Sequence, residues 1–378
     1  MYGHGLFGSR SEVGSGPQRA LAAEHNITVC ATDWIGMACA DLAPPSTEPP
    51  TPVQVGAILA DPTTVGPNCD LPQTATILAD VSNFPKLVDR LQQGFVNFLY
   101  LGRAMVHPSG FVSDPAFREG AAPLIDAAHL NVEERKLFYD GNSQGGIFGG
   151  ALTAIAPDYD RAVLGVPGMN YSTLLRRSVD FDAYATGQFS FVPGAPNTPI
   201  GLYDNYPNEL ERPLLLSLIQ LLWDRADPNG YANHMTAGSP QGALPNTPGH
   251  EVMLHLAFGD HQVANIAAEV EARTIGARTV DPYLAPASRS PYFPVVRPFG
   301  MEAFSSFPSG GSAIVMWDSG SPPPPTTNTP PRAGADPHSH PRSTAIARAQ
   351  KSAFLQPGGQ VTNTCASACY ANGYTPPP

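Results

Sequence analysis

The run Gly-Asn-Ser-Gln-Gly-Gly at residues 141–146 constrains the fold of this chain more than any other feature. A serine in a tight turn between a strand and a helix is the arrangement of a nucleophile elbow. In such a turn, side chains at Gly141 and Gly145 would collide with neighbouring backbone, and Ser143 would have strained dihedral angles. The pattern predicts a serine hydroxyl at the carboxyl edge of a sheet, above a helix N-terminus that stabilises negative charge. The alternative is a glycine-rich loop that happens to contain a serine.

The flanking residues favour the elbow. An apolar stretch at 137–139 leads into the turn and predicts a strand. Apolar residues recur at helical spacing after it, at Ile147, Phe148, Ala151, Leu152 and Ile155.

A second glycine-rich motif opens the chain, Gly-His-Gly-Leu-Phe-Gly at residues 3–8. A His-Gly-apolar turn after a strand is the usual source of one oxyanion-hole donor, and the residue after the nucleophile supplies the other. The backbone N–H groups of Leu6 and Gln144 are therefore the expected donors. We expect His4 to hold this loop through its ring nitrogens; a role as a ligand or a base is the alternative.

With these two motifs the chain resembles the α/β-hydrolase superfamily, in particular bacterial secreted lipases and esterases with a His-Gly-Leu-Phe-Gly oxyanion loop. The resemblance implies an α/β fold: a three-layer sandwich with a mostly parallel sheet and a cap insertion. It also implies a catalytic triad in the chain order Ser, acid, His. That chemistry requires no metal and no organic cofactor.

The acid of such a triad should follow a strand. Residues 251–258 form an apolar run that predicts one, and Asp260 comes directly after it. Its role would be to orient the histidine and to stabilise the imidazolium. An ordinary helix N-cap is the alternative role for Asp260, and Asp318, one strand later, is the second candidate acid.

The histidine should lie in a loop after the last strand. The segment Asp-Pro-His-Ser-His-Pro at 336–341 offers two candidates, followed by a predicted helix with apolar residues at 346, 349, 353 and 354. We assign the base to His338, with His340 as the alternative. Both could instead be solvated side chains or a weak metal site, but two histidines at this spacing make a poor metal ligand set.

The resemblance implies a division of the chain into three parts. Residues 1–166 are the expected N-terminal part of the hydrolase core, 167–249 the expected cap or lid, and 250–378 the C-terminal part of the core. Further helices are predicted over 85–105 and 212–225, and further strands over 26–34 and 161–166. The cap aromatics could line an acyl pocket or pack the cap onto the body: Phe181, Tyr184, Phe189, Phe191, Tyr203 and Tyr206.

The composition excludes some classes of function. The net charge is −11 and the pI is near 5.3, which argues against nucleic acid and against anionic membranes as partners. No apolar run is long enough to predict a transmembrane segment. The 42 prolines cluster, and the region 40–73 is expected to be irregular.

Five cysteines suggest an oxidising compartment. Cys365 and Cys369 could close a local disulfide or pair upstream, Cys39 and Cys69 could also pair, and Cys30 is the expected free thiol. We expect a secreted or periplasmic bacterial protein, although no signal peptide is visible in this chain.

Only Met1 and Tyr2 precede the first glycine motif. The resemblance implies a strand of roughly 5–6 residues at this place. That strand would lie between the strand over 26–34 and the elbow strand. We therefore expect a core that lacks its N-terminal strands, as in a chain truncated at its N-terminus, or an unusual sheet in which another segment fills the position.

The sequence thus predicts a serine hydrolase that cleaves carboxylic esters through Ser143, His338 and Asp260 and an acyl-enzyme. Its substrate would be a small or a polymeric hydrophobic ester. Polyester, amide and thioester hydrolysis by the same triad, or a non-catalytic hydrolase-like binding protein, are the alternatives. The oligomeric state, the acyl preference and the choice between polymer and small ester are left open.

Overall fold

The computed structural model describes residues 1–39, 69–123, 136–186, 191–192, 195–196, 201–288, 290 and 293–376. Most of the region expected to be irregular, 40–73, lies outside the described residues, as does Phe189.

The fold is built on a sheet of seven parallel strands. Its order is β1-β4-β5-β8-β10-β11, and β9 pairs with the other end of β10. Two small antiparallel hairpins, β2–β3 and β6–β7, lie outside it. The strands are β1 Tyr2–Gly3, β2 Arg118–Glu119, β3 Ala122–Pro123, β4 Tyr139–Asn142, β5 Arg161–Gly165, β6 Phe191–Val192, β7 Ala195–Pro196, β8 Glu251–Ala257, β9 Arg278–Thr279, β10 Ala313–Asp318 and β11 Cys369–Tyr370.

Helices cover both faces of this sheet. They are α1 Gly16–His25, α2 Leu71–Ala79, α3 Phe84–Val106, α4 Gln144–Ile155, α5 Tyr171–Leu175, α6 Asp182–Ala185, α7 Leu202–Asn205, α8 Arg212–Trp223, α9 Asn265–Thr274, α10 His340–Ser343 and α11 Ala345–Phe354. Short 3-10 turns connect several of them, among them Val179–Phe181.

The central strands are buried on both sides, as parallel strands between two helical layers are. In β8, Leu254 packs into the larger core, which includes α3 and α4 residues, whereas Met253 packs into the smaller core with Phe354 of α11. The alternation follows from the period of two residues along a strand. The α/β class and the parallel sheet expected from the sequence are therefore confirmed.

Most predicted elements are present. The strands expected before Ser143, at 161–166 and at 251–258 are β4, β5 and β8, and the helices expected over 85–105 and 212–225 are α3 and α8. The elements α5 to α8 lie within the segment 167–249, and α8 packs against α3 and α5. The division into a core and a cap stays a prediction.

The predicted strand over 26–34 is wrong. Residues 27–34 belong to no strand, although Ile27, Thr28 and Val29 favour one. The physical reason is that the neighbouring strand β1 is only two residues long and offers little backbone to pair with. The Tyr2 N–H donates to the Cys30 carbonyl at 2.8 Å and joins β1 to this segment. A cavity of about 540 Å³ lies between residues 26–29 and the residues that lead into β4.

The cysteines pair within the described chain as Cys39–Cys69 and Cys365–Cys369, and Cys30 is free. These are the pairings that the spacing allowed. Among the helices that the structure describes, none combines the length and the apolar character needed to cross a membrane.

Candidate active site

Ser143 lies in a sharp turn between strand β4 and helix α4. Its φ is 61° and its ψ is −125°, a backbone conformation that non-glycine residues rarely adopt. The close packing of β1, β4 and α4 explains the glycines. A Cβ on Gly145 would overlap the carbonyl oxygen of Gly3, and a Cβ on Gly141 would overlap that of Gly145.

The hydroxyl of Tyr139 also holds this turn, and sequence analysis missed it. It donates to the carbonyl oxygen of Gly145 at 2.6 Å. The bond gives the buried Tyr139 hydroxyl a partner, and a buried polar group without one costs about 1–3 kcal/mol. No local pattern marks it, because a tyrosine in a strand is usually only a core residue.

The buried ring of His4 holds the loop after β1 through both of its nitrogens. The N–H of Trp34 donates to Nε2 of His4 at 2.9 Å, so Nδ1 carries the proton and donates to the Gly5 carbonyl at 2.8 Å. Burial lowers the pKa of His4 to about 4 and keeps the ring neutral. His4 therefore has the structural role that its position predicted.

Glu12 is a second support of this loop that the sequence did not reveal. One carboxylate oxygen accepts from the N–H of Gly5 at 2.9 Å, and the other accepts from the Tyr2 hydroxyl at 3.2 Å. The Arg342 guanidinium lies 3.7 Å from the same carboxylate. These contacts connect the loop after β1 to helix α10, which begins at His340, two residues after His338.

The two expected oxyanion donors lie at one cavity with the serine. Leu6, Ser143 and Gln144 all border it. Gln144 is the first residue of α4, so its N–H has no acceptor within the helix and lies at the positive end of the helix dipole. The Gln144 side chain is fixed by the hydroxyl of Tyr171 and by the sulfur of Met37.

Asp260 and His338 form a buried pair. Nδ1 of His338 lies 2.9 Å from both carboxylate oxygens of Asp260, across 78 residues of sequence. The N–H groups of Gln262 and Val263 donate to Oδ1 of Asp260 at 2.8 and 3.0 Å and orient the carboxylate. Helix α9 begins only at Asn265, with Ala264 at its N-cap, so Asp260 is not the N-cap residue.

The other ring nitrogen of His338, Nε2, is buried and has no hydrogen-bond partner among the described residues. His338 and Ser143 border one small cavity of about 80 Å³, with Gly5 and Arg342. Within the described chain, Ser143 and His338 are not directly hydrogen-bonded. The structure therefore places all three expected triad residues at one site and joins two of them.

Carboxylates surround the His338 ring. Burial lowers its pKa, but the charges of Asp260, Asp336 and Asp180 outweigh this effect and raise the pKa above its ordinary 6.5. Asp336 joins the loop that carries His338 to the loop after Asp260. It accepts from the N–H groups of His338 and His261 and from the side-chain amide of Gln262. Its position two residues before His338 was the available sequence signal.

His340, the alternative base, and Asp318, the second candidate acid, make their hydrogen bonds to other residues. Nδ1 of His340 is 2.8 Å from the hydroxyl of Ser319. Asp318 accepts from the hydroxyl of Ser288 and, at 2.8 Å, from the N–H of Gly320. Neither residue is hydrogen-bonded to the Asp260–His338 pair.

An apolar pocket of about 90 Å³ opens beside Ser143. Two of the cap aromatics, Phe181 and Tyr184, line it. Tyr203 instead packs edge-on against Phe181, and the Tyr206 hydroxyl accepts from the N–H of Val81. Two of these aromatics therefore line an apolar pocket, and Tyr206 links the segment 167–249 to residue 81. The role of the pocket in binding an acyl chain stays a prediction.

Comparisons with protein-family models, curated proteins and solved structures found no match to this chain. Among the residues with described positions, no group of three or more His, Cys, Asp or Glu side chains is arranged to hold a metal ion.

Proposed function

We propose that this protein is a serine hydrolase of carboxylic esters with an α/β-hydrolase core. The observation that carries the proposal is the buried Asp260–His338 pair, with a partnerless Nε2 at the cavity that holds the strained Ser143. A nucleophile, a base and a group that orients the base are the three parts that nucleophilic catalysis requires.

In the proposed mechanism, Nε2 of His338 takes the proton of the Ser143 hydroxyl while its oxygen attacks the ester carbonyl. This step requires the two atoms within about 2.6–3.2 Å. Asp260, bound to Nδ1, keeps the ring in the tautomer whose Nε2 can accept a proton, and it stabilises the imidazolium that forms.

The N–H groups of Leu6 and Gln144 would bind the oxyanion of the tetrahedral intermediate. Each such donor contributes roughly 3–4 kcal/mol to transition-state stabilisation. His338 then protonates the leaving alcohol, and a water molecule activated by the same ring releases the acid from Ser143.

The test is hydrolysis of short and medium-chain p-nitrophenyl esters by the purified chain and by its Ser143→Ala variant. We expect turnover by the parent and a loss of at least about 10³-fold in the variant. Equal rates for both proteins would exclude Ser143 as the nucleophile. Equal far-UV spectra and unfolding midpoints for the two proteins establish that the fold is unchanged.

We also propose a secreted or periplasmic location. The two disulfides support it, because disulfides persist in oxidising compartments and are rare in the cytosol. Fractionation of an expressing cell, with free thiols counted in each fraction, tests the location.

A further inference from the structure

The apolar pocket beside Ser143 contains a single charged lining side chain among the described residues, Asp180. Asp180 lies in the 3-10 turn Val179–Phe181, and no hydrogen-bond donor reaches its carboxylate within the described chain. Burial raises its pKa to about 6, and the charge of His338 opposes this shift. At neutral pH the pocket therefore presents an ionised, half-buried carboxylate that accepts no hydrogen bond from the described residues.

A second polar group without a partner borders the same pocket. Tyr184 lies in α6, is 7% exposed and has its ring 6.0 Å from that of Phe7. Its hydroxyl is buried, and the described residues provide no hydrogen-bond partner for it. Burial and then the nearby charge of Asp180 raise the pKa of this hydroxyl, so Tyr184 stays protonated and can donate.

We propose that Asp180 and Tyr184 form a polar subsite that binds a hydroxyl group on the acyl part of the ester, so that the preferred substrates are esters of hydroxylated aliphatic acids. The proposal rests on the ester hydrolysis proposed above. It names two residues that determine specificity, and it gives neither of them a role in the chemical step.

The hydroxyl is the group that complements this pair. It donates one hydrogen bond to the Asp180 carboxylate and accepts one from the Tyr184 hydroxyl. An ammonium group has no lone pair for Tyr184, and a carboxylate on the substrate would be repelled by Asp180. An unsubstituted alkyl chain fills the apolar walls but leaves the buried Tyr184 hydroxyl unpaired and covers the half-buried Asp180 carboxylate without donating to it. The pocket should therefore discriminate against such a chain.

The experiment compares p-nitrophenyl hexanoate with p-nitrophenyl 3-hydroxyhexanoate and 6-hydroxyhexanoate. For each protein the result is the ratio of kcat/KM for a hydroxylated ester to kcat/KM for hexanoate, which cancels any general change in His338 basicity. We expect a ratio of about tenfold or more for at least one hydroxylated ester in the parent. Asp180→Asn and Tyr184→Phe should each bring that ratio towards one.

The matched control is Tyr203→Phe, which removes a hydroxyl from a neighbouring tyrosine outside the pocket lining. Its ratio should equal that of the parent. Ratios within twofold of one for both hydroxylated esters, or a parental ratio kept by both subsite variants, would overturn the proposal.

A binding measurement separates this proposal from the catalytic one. Calorimetry on Ser143→Ala, with ethyl hexanoate and its 3- and 6-hydroxy analogues, should show tighter binding of a hydroxylated ester, and adding Tyr184→Phe should abolish the difference. A binding preference without any ester turnover would leave the subsite standing and reject the hydrolase. Ester turnover without a preference for hydroxylated esters would support the hydrolase and reject the subsite.

Discussion

His338 and His340 lie two residues apart, yet their surroundings differ. The ring of His338 is bonded to Asp260, whereas that of His340 is bonded to Ser319. Burial lowers the pKa of His340, and the more distant carboxylates do not compensate. The structure thus distinguishes two candidates that the sequence alone could not separate.

This difference predicts opposite effects of two alanine variants. If His338 is the general base, as proposed, His338→Ala should lower kcat for ester hydrolysis by on the order of 10³-fold or more. His340→Ala should keep kcat within about tenfold of the parent. Steady-state kinetics on p-nitrophenyl butyrate measures both, and a larger loss in His340→Ala would contradict the assignment.

The charge around His338 predicts the pH profile. In the proposed mechanism only the neutral ring accepts the serine proton, so kcat/KM should rise with pH until the ring has lost its own proton. The midpoint should lie above 6.5 because the pKa of His338 is raised. Asp336→Asn removes one of the negative charges that stabilise the imidazolium, so the midpoint should move to lower pH. A midpoint below 6.5 in the parent, or a shift to higher pH in the variant, would contradict this explanation.

At the scale of elements, the turn between β4 and α4 depends on the absence of side chains. A Gly-to-Ala change inside a helix ordinarily stabilises it by up to about 1 kcal/mol. At Gly145 the added Cβ would overlap the Gly3 carbonyl in β1, a backbone atom that cannot move aside alone.

We therefore predict that Gly145→Ala lowers the free energy of unfolding by about 1–3 kcal/mol, the usual effect of overpacking. The control is Gly14→Ala, since a Cβ at Gly14 meets no atom within 4 Å. Urea denaturation of both variants is the measurement. A Gly145→Ala variant as stable as Gly14→Ala would show that β1 does not pack on α4 as described.

Elements with local signals were predictable, and contacts between distant segments were not. The run at 251–258 and the Asp260 after it are consecutive in sequence, so the strand and the residue at its end could be expected together. The strand predicted over 26–34 is absent because a strand needs a partner, and β1 offers only two residues for pairing. Glu12 and Tyr139 support the site through contacts that no spacing in the sequence encodes.

At the scale of the whole molecule, buried carboxyl groups couple stability to pH. Burial raises the pKa of Glu269 to about 7, and the Tyr283 hydroxyl donates to it at 2.8 Å. Because the folded pKa exceeds the unfolded one, the native state binds more protons between about pH 4.5 and 7. Stability from this group is present below this window and is lost as the pH rises through it.

Glu269→Gln should therefore flatten the pH dependence of stability. We expect the difference in unfolding free energy between pH 5 and pH 8 to shrink by roughly 1–3 kcal/mol relative to the parent. Glu302→Gln, at an exposed glutamate, is the control and should leave that difference unchanged. An unchanged difference in Glu269→Gln would mean that the carboxyl titrates as it does in water.

The proposed activation of Ser143 can be measured with a fluorophosphonate probe, which bonds covalently to activated serines. Intact mass and peptide mapping of the labelled protein would locate the adduct. We expect one adduct, on Ser143, that is absent in Ser143→Ala and forms much more slowly in His338→Ala than in His340→Ala. No adduct in the parent, or an adduct that persists in Ser143→Ala, would contradict it.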